Sequence, residues 1–188
     1  MLAESFARTM TDRTRTSGRA HTESVSCQSS SHMSPIEIVP FRPEHAEAFY
    51  RLNRAWLDEH ALYEPADEVQ LADPHGAVIA VGGAVFVAVR DGEVVGTAAV
   101  APHGPGEVEL LKVTVAEAAR AHGLGRQLVE VCIAHARRMG AHTMMLLSST
   151  RLQDALRLYE RIGFTHRPLP SSLPYASADV CMELRIER

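Results

Sequence analysis

Residues 113–127 read Val-Thr-Val-Ala-Glu-Ala-Ala-Arg-Ala-His-Gly-Leu-Gly-Arg-Gln, and the reading of this stretch decides the fold. An apolar, strand-like run over residues 110–115 passes into Arg120-Ala121-His122-Gly123-Leu124-Gly125, after which Leu124, Leu128, Val131, Cys132 and Met139 recur at helical spacing. Two glycines let the backbone bend tightly and come close to a ligand. The first turn of a helix leaves amide N–H groups unpaired and carries partial positive charge, so such a turn is an anion site suited to a diphosphate. Arg120 and Arg126 add charge. An ordinary tight strand-to-helix turn also explains the glycines, and spacing alone does not choose between the two. Other phosphate loops fit poorly. The dinucleotide fingerprint needs a third glycine that Gln127 and Leu128 do not supply, and a Walker loop needs a Gly-Lys-Ser/Thr ending that is absent.

Working outward, the chain upstream alternates. Ile36, Ile38 and Phe41 predict a first strand, and Pro43 opens a helix on which Ala46, Phe49, Tyr50, Asn53, Trp56 and Leu57 share a face. Residues 61–83, with Pro65, Pro74, Gly76, Gly82 and Gly83, read mainly as loop with room for a short helix. Strand-like runs at 84–90 and 93–101 flank Asp91-Gly92, a strong hairpin signal. His103-Gly104-Pro105-Gly106 is a further turn, and 107–115 is a third strand of this meander. Downstream, the helix over 123–139 stops at Gly140, and 143–147 is a short strand. A second amphipathic helix over 151–162 closes at Gly163, and strands at 164–167 and 178–186 flank the Pro-rich loop 168–174. The order, βα then a β-meander then βαβαββ, implies an α/β fold: a mixed sheet with helices on both faces.

Composition narrows the function classes. The 188 residues suit one domain with a tail, and 46% hydrophobic content allows a sizeable core. Residues 1–34 are rich in Ser, Thr and Arg and are expected to be a disordered tail, with the folded domain over 35–188 and Met33 as an alternative start. The tail lacks the apolar stretch of a secretory signal, and Glu4, Asp12 and Glu23 argue against a transit peptide. A net charge of -4 gives no sign of the concentrated basic patch of a nucleic-acid binder. Lys112 is the one lysine in the chain, a compositional bias given no functional weight. Cys27, Cys132 and Cys181 have no metal spacing, and the last two read as small buried hydrophobes in a cytoplasmic protein. The ten histidines show no ligand spacing, so no metal is expected. No apolar run is long enough to span a membrane.

Two motifs then carry a resemblance. Residues 113–125 resemble the acetyl-CoA-binding motif of the GNAT acetyltransferases: a Val-rich strand, Arg/Gln-x-x-Gly-x-Gly/Ala, then a helix. Farther on, Ala155-Leu-Arg-Leu-Tyr-Glu-Arg-Ile-Gly-Phe164 is similar to the second signature of that family, Ala-x-x-Leu-Tyr-Glu-x-x-Gly-Phe. The order of elements from Ile36 to the C-terminus matches as well. The resemblance implies a mostly antiparallel central sheet with helices on both faces. It also implies a splayed strand pair that holds the pantetheine arm of acetyl-CoA.

The resemblance further implies site residues. Val113 and Val115 would offer backbone groups to the acetyl carbonyl and pantetheine amides, while their side chains pack in the core. Amides of His122, Gly123, Leu124, Gly125 and Arg126 would cradle the diphosphate, with Arg120 beside them. Tyr159 would protonate or orient the leaving thiolate, though it also lies on the apolar stripe Leu152, Ala155, Leu156, Tyr159, Ile162 as a core tyrosine would. Glu109 stands eleven residues before Arg120, as the catalytic glutamate does in the histone acetyltransferase branch. Glu107 shares its strand face, so either could be the general base. Many members carry an asparagine where this chain reads Ser148-Ser149-Thr150-Arg151; Ser149 or Thr150 would bond the pantetheine or cap the next helix.

The implied activity is direct transfer of an acetyl group from acetyl-CoA to a primary amine, on a small molecule or a protein, in a ternary complex. A non-catalytic acyl-CoA-binding module on the same fold is the alternative, with a nucleotide-binding module behind it. A homodimer is implied only as a family tendency. Trp56 and Tyr50 read as core residues near an acceptor wall, and Tyr175 as a residue that can face the acceptor. The acidic stretch with Glu64, Asp67, Glu68 and Asp73 reads as a solvated loop.

Overall fold

The computed structural model describes residues 34–120 and 123–187. The expected tail over 1–34, apart from Ser34, lies outside the described residues, as do Cys27 and His122. Strand β1 (Glu37–Pro40) leads through a 3-10 turn (Pro43–His45) into α1 (Ala46–Glu59). Pro43 suits that entry because a helix start needs no N–H from it. Helix α2 (Pro65–Ala72) and a π-helical turn (His75–Ile79) fill the stretch read mainly as loop, which is therefore far more ordered than expected. Then come β2 (Ala84–Arg90), β3 (Glu93–Gly104) and β4 (Glu107–Val115). The remaining elements are α3 (Leu124–Arg138), β5 (Thr143–Ser148), α4 (Gln153–Ile162), β6 (Thr165–Arg167) and β7 (Val180–Arg185).

The Asp91-Gly92 signal holds. Both residues have positive φ, 53° and 81°, the twist that a two-residue hairpin needs. The next turn is shorter than expected, because β3 continues through His103 to Gly104 and leaves Pro105-Gly106 to reverse the chain. Among the described residues the strands form one sheet in the order β1-β2-β3-β4-β5-β7-β6. Every neighbouring pair is antiparallel except β4 with β5.

Apolar side chains sort the helices to the two faces. Phe49 of α1, Leu71 of α2 and Val78 pack on Val85, Val87, Ala99 and Leu111. On the other face Leu124, Leu128, Cys132 and Ile133 of α3 and Leu156 and Tyr159 of α4 pack on Ala98, Val108, Leu110 and Met144. Full burial of a side chain such as Leu128, with no exposed surface, stabilises by about 1.5–3 kcal/mol.

Strand β4 is not regular. Thr97 lies opposite Thr114 and Ala99 opposite Leu111, so two residues of β4 face one of β3 and the strand bulges. Lys112 sits in the bulge with φ 51°, in the left-handed region that a residue with a side chain rarely enters. A buried polar network holds it there. Thr97 Oγ1 donates to the Lys112 carbonyl (2.8 Å), Asn53 Nδ2 donates to Thr97 Oγ1 (3.1 Å), and Thr114 Oγ1 donates to Asn53 Oδ1 (2.8 Å). The bulge resets the alternation. Before it, Leu111 faces α1 and α2 while Val108 and Leu110 face α3; after it, Val113 and Val115 pack on the α3 side.

Candidate functional site

Pairing between β4 and β5 is brief. Glu107, Val108 and Glu109 pair with Thr143, Met144 and Met145, and beyond them the two strands separate. Among the described residues, the C-terminal half of β4 therefore presents a backbone edge with no strand partner on that side. Two cavities lie along this gap. The smaller, about 140 Å³, is lined by Glu109, Lys112 and Val113 of β4, Ser148 and Ser149 after β5, and Trp56, Asp67 and Tyr175. The larger, roughly 500 Å³, is lined by Val113, Val115, Arg120, Gly123, Leu124, Gly125, Arg126 and Arg151. Trp56, Val113, Leu152, Ala155 and Tyr159 line both, so the two are neighbours along the gap.

At the outer end Gly123 caps α3 with φ 70°, a conformation open to glycine and costly for other residues. Leu124, Gly125 and Arg126 form the first turn of α3, where helix N–H groups lack intrahelical partners. A Cβ at Gly125 would come within 3.2 Å of Leu158 on α4, so the glycine also allows close helix packing. Arg120 reaches back to the Val115 carbonyl (3.3 Å) and toward Glu59 (3.9 Å), and Arg126 pairs with Glu130 (2.7 Å).

Tyr159 is a core residue and a cavity wall at once. It is 8% exposed, its ring lies 5.7 Å from that of Phe164, and burial, reinforced by Cys132, pushes its phenol well above the usual value. Ser149 is buried and lines the smaller cavity. Thr150 is taken up by Asp179, through its N–H and its hydroxyl, each at 2.6 Å. Neither caps α4, whose cap position is Leu152 with no side-chain bond; the helix starts later than expected, at Gln153.

The two glutamates part ways. Glu107 is held by Arg167 at 2.6 Å, and Arg167 also reaches Glu183 at 3.3 Å. Glu109 lines the smaller cavity, with His103 3.6 Å away. Burial raises the Glu109 carboxyl above its ordinary value, while the positive fields of His103 and then Lys112 pull it back down.

Sequence reading missed the other wall of this cavity. The acidic stretch is not a solvated loop. Asp67 is 3% exposed and forms a buried ion pair with Lys112. Glu68 accepts from Tyr63 (2.6 Å) and Tyr50 (3.2 Å), Glu64 accepts from the N–H groups of Ala176 and Ser177 (2.8 Å each), and Asp73 caps Gly76 (2.8 Å). Lys112, set aside as compositional, joins the bulge to α2. Its isolation as the sole lysine was a signal, but only contact with Asp67 gives that signal meaning. Trp56 stacks on His60 (4.4 Å between ring centres) and lines both cavities rather than the core.

Among the described residues no group of three His, Cys, Asp or Glu is placed to hold a metal, and no helix is long and apolar enough to cross a membrane.

Comparison with known proteins bears on the fold and the family. A structure of a GNAT-family acetyltransferase from Staphylococcus aureus matches with TM-score 0.76 at 18% identity, covering 81% of this chain and 100% of that one. A Salmonella typhimurium structure, described as a putative acetyltransferase with its cofactor acetyl-CoA, matches with TM-score 0.66 at 23% identity, covering 81% and 94%. At these identities the likeness shows the fold. In sequence, an uncharacterized N-acetyltransferase of Schizosaccharomyces pombe is 30% identical over 141 residues, 69% of this chain and 85% of that protein. One of Escherichia coli is 36% identical over 88 residues, 45% of this chain and 53% of its own length. Mycothiol acetyltransferase of Thermomonospora curvata is 37% identical over 81 residues, 43% of this chain, and the match spans only 27% of that protein. A sequence model of the acetyltransferase (GNAT) family matches residues 37–164, from β1 through the glycine turn to the second signature. The chain belongs to the GNAT acetyltransferase family.

Proposed function

We propose that the protein is an N-acetyltransferase that moves an acetyl group from acetyl-CoA directly to a primary amine. The observation that carries this reading is the gap between β4 and β5, which opens beside a helix N-terminus begun by a left-handed glycine. The residues present fit the co-substrate: a strand edge without a partner for the pantetheine, and backbone donors at one end for the diphosphate. Acetyl-CoA, when bound, supplies an activated thioester; the chain supplies grip, orientation and proton handling.

The N–H groups of Gly123, Leu124, Gly125 and Arg126 cradle the diphosphate, and Arg120 and Arg126 offset its charge. Backbone groups of Val113 and Val115 pair with the pantetheine, and an N–H there faces the thioester oxygen where negative charge grows during transfer. Ser149 bonds the pantetheine from the opposite edge. Glu109 accepts the proton of the incoming ammonium. Its burial favours that step by raising its basicity. His103, half-exposed beside it, gives the proton a way to water. Glu107 is left out because Arg167 holds it.

Tyr159 donates to the leaving sulfur. A phenol raised above its usual value of about 10 stays protonated, and full transfer to a thiolate of pKa roughly 8.5 is uphill. Hydrogen-bond donation is therefore the contribution that burial favours.

The test is a calorimetric titration with acetyl-CoA, then a mass-spectrometric screen of primary amines. Binding and turnover are expected, with Tyr159→Phe lowering kcat by about a hundredfold while KM for acetyl-CoA barely moves. Binding without turnover on any amine would favour an acyl-CoA-binding module. No affinity at millimolar co-substrate would remove the proposal altogether.

A further inference from the structure

The smaller cavity is flanked by two segments far apart in sequence. One is α2 with the residue before it; the other is the loop between β6 and β7. Asp67 of α2 and Tyr175 and Ser177 of the loop line the same cavity as Glu109. The two segments are tied together. The Glu64 carboxylate accepts from both Ala176 N–H and Ser177 N–H at 2.8 Å, one bond to each oxygen. Tyr175 donates to Gln70 Oε1 at 3.4 Å, and its ring lies 5.5 Å from the Lys112 ammonium. Charge-assisted bonds from two successive amides to one carboxylate make a strong, directional tie.

We propose that Glu64 is a specificity-determining residue: by fastening the β6–β7 loop to α2 it closes the acceptor side of the cavity and restricts the acceptor to compact monoamines, excluding polypeptide chains. The inference rests on the transferase reading above. Two observations set the class. The cavity holds about 140 Å³, room for a compact amine, and the Glu64 tie fixes the loop that supplies its lining residues Tyr175 and Ser177. Within the cavity, Asp67 is neutralised by Lys112, so Glu109 is the carboxylate that meets a single ammonium, while Trp56, Leu57 and Leu62 offer apolar surface to the rest of the molecule. Glu64 acts on the acceptor through the loop.

The experiment has two arms on the full chain. In the first, hydrogen–deuterium exchange is followed at Ala176 and Ser177 in wild type, Glu64→Gln and Glu64→Ala. Exchange there is expected to rise at least tenfold in Glu64→Ala. Glu64→Gln, which keeps one oxygen acceptor, is expected to fall between. In the second, kcat/KM is compared for a phenethylamine-sized primary amine and for a short peptide offered as an N-terminal or lysyl amine. Wild type is expected to prefer the compact amine by at least tenfold. Glu64→Ala narrows that preference at unchanged coenzyme A affinity.

Equal or better use of the peptide by wild type would overturn the acceptor class while leaving the transferase reading intact. Unchanged exchange in Glu64→Ala would overturn the tie itself. Binding of coenzyme A with no amine acetylated would instead bring down the transferase reading, and the acceptor class with it.

Discussion

Glu109 and Glu107 lie two positions apart on one strand face and share His103, at 3.6 and 3.9 Å, but differ in their other surroundings. Glu107 meets a guanidinium at 2.6 Å, whereas Glu109 is half-buried and lines a cavity. This difference predicts a pH profile. A base works only when deprotonated, and burial raises Glu109, so kcat/KM falls on acidification at a pH above the ordinary carboxylate value of about 4.3. The positive field of His103 holds that value down. His103→Gln is therefore expected to move the acid limb to higher pH, and Glu109→Gln to lower the rate and flatten the limb. An unmoved limb in His103→Gln would show that the two groups are not coupled.

At the scale of elements, the bulge in β4 turns Val113 and Val115 toward α3 and gives the gap its shape. Its left-handed residue is kept in place by Asp67 on α2 and by Thr97 on β3. The Lys112 and Asp67 side chains are 8% and 4% exposed, so removing one partner strands a buried charge. Lys112→Met is expected to cost about 3–5 kcal/mol in urea denaturation, and the double variant Lys112→Met with Asp67→Leu to recover most of that loss. A single-variant cost below about 1 kcal/mol, the range of surface pairs, would show that the pair is solvated in solution. The element order was legible from hydropathy and turn residues: Asp91-Gly92, Gly140 and Gly163 punctuate the chain where they were expected to, all with positive φ. The second helix of the N-terminal half was legible only as room for a short helix in a stretch read mainly as loop. Residues 61–83 carry five Pro and Gly residues, but Pro65 sits at the first position of α2, a Glu64–Asp67 capping box supports that start, and Leu71 and Val78 pack against the sheet.

At the scale of the whole molecule, the gap, the α3 N-terminus and the two cavities lie side by side. A ligand that fills them binds the folded chain and not the unfolded one. At a hundredfold excess over Kd, coenzyme A is expected to stabilise by about 2.7 kcal/mol and to raise Tm by roughly 5–10 °C, with ATP and NAD giving no comparable shift. Equal shifts with all three would point to a general phosphate site at the α3 N-terminus.

The sequence by itself determined the order of strands and helices, the glycine turn and the second signature, because those depend on short-range patterns: alternation, helical spacing and turn residues. Tertiary structure alone decided which glutamate faces the cavity, where the β4 alternation resets and what the acidic residues 64–73 hold. Each of these rests on partners distant along the chain: Lys112 meets Asp67 forty-five residues away, Thr114 meets Asn53 sixty-one away, and Glu64 meets Ser177 across 113 residues. A period-two pattern carries no mark of a bulge, and a carboxylate carries no mark of its partner, until folding brings the two together.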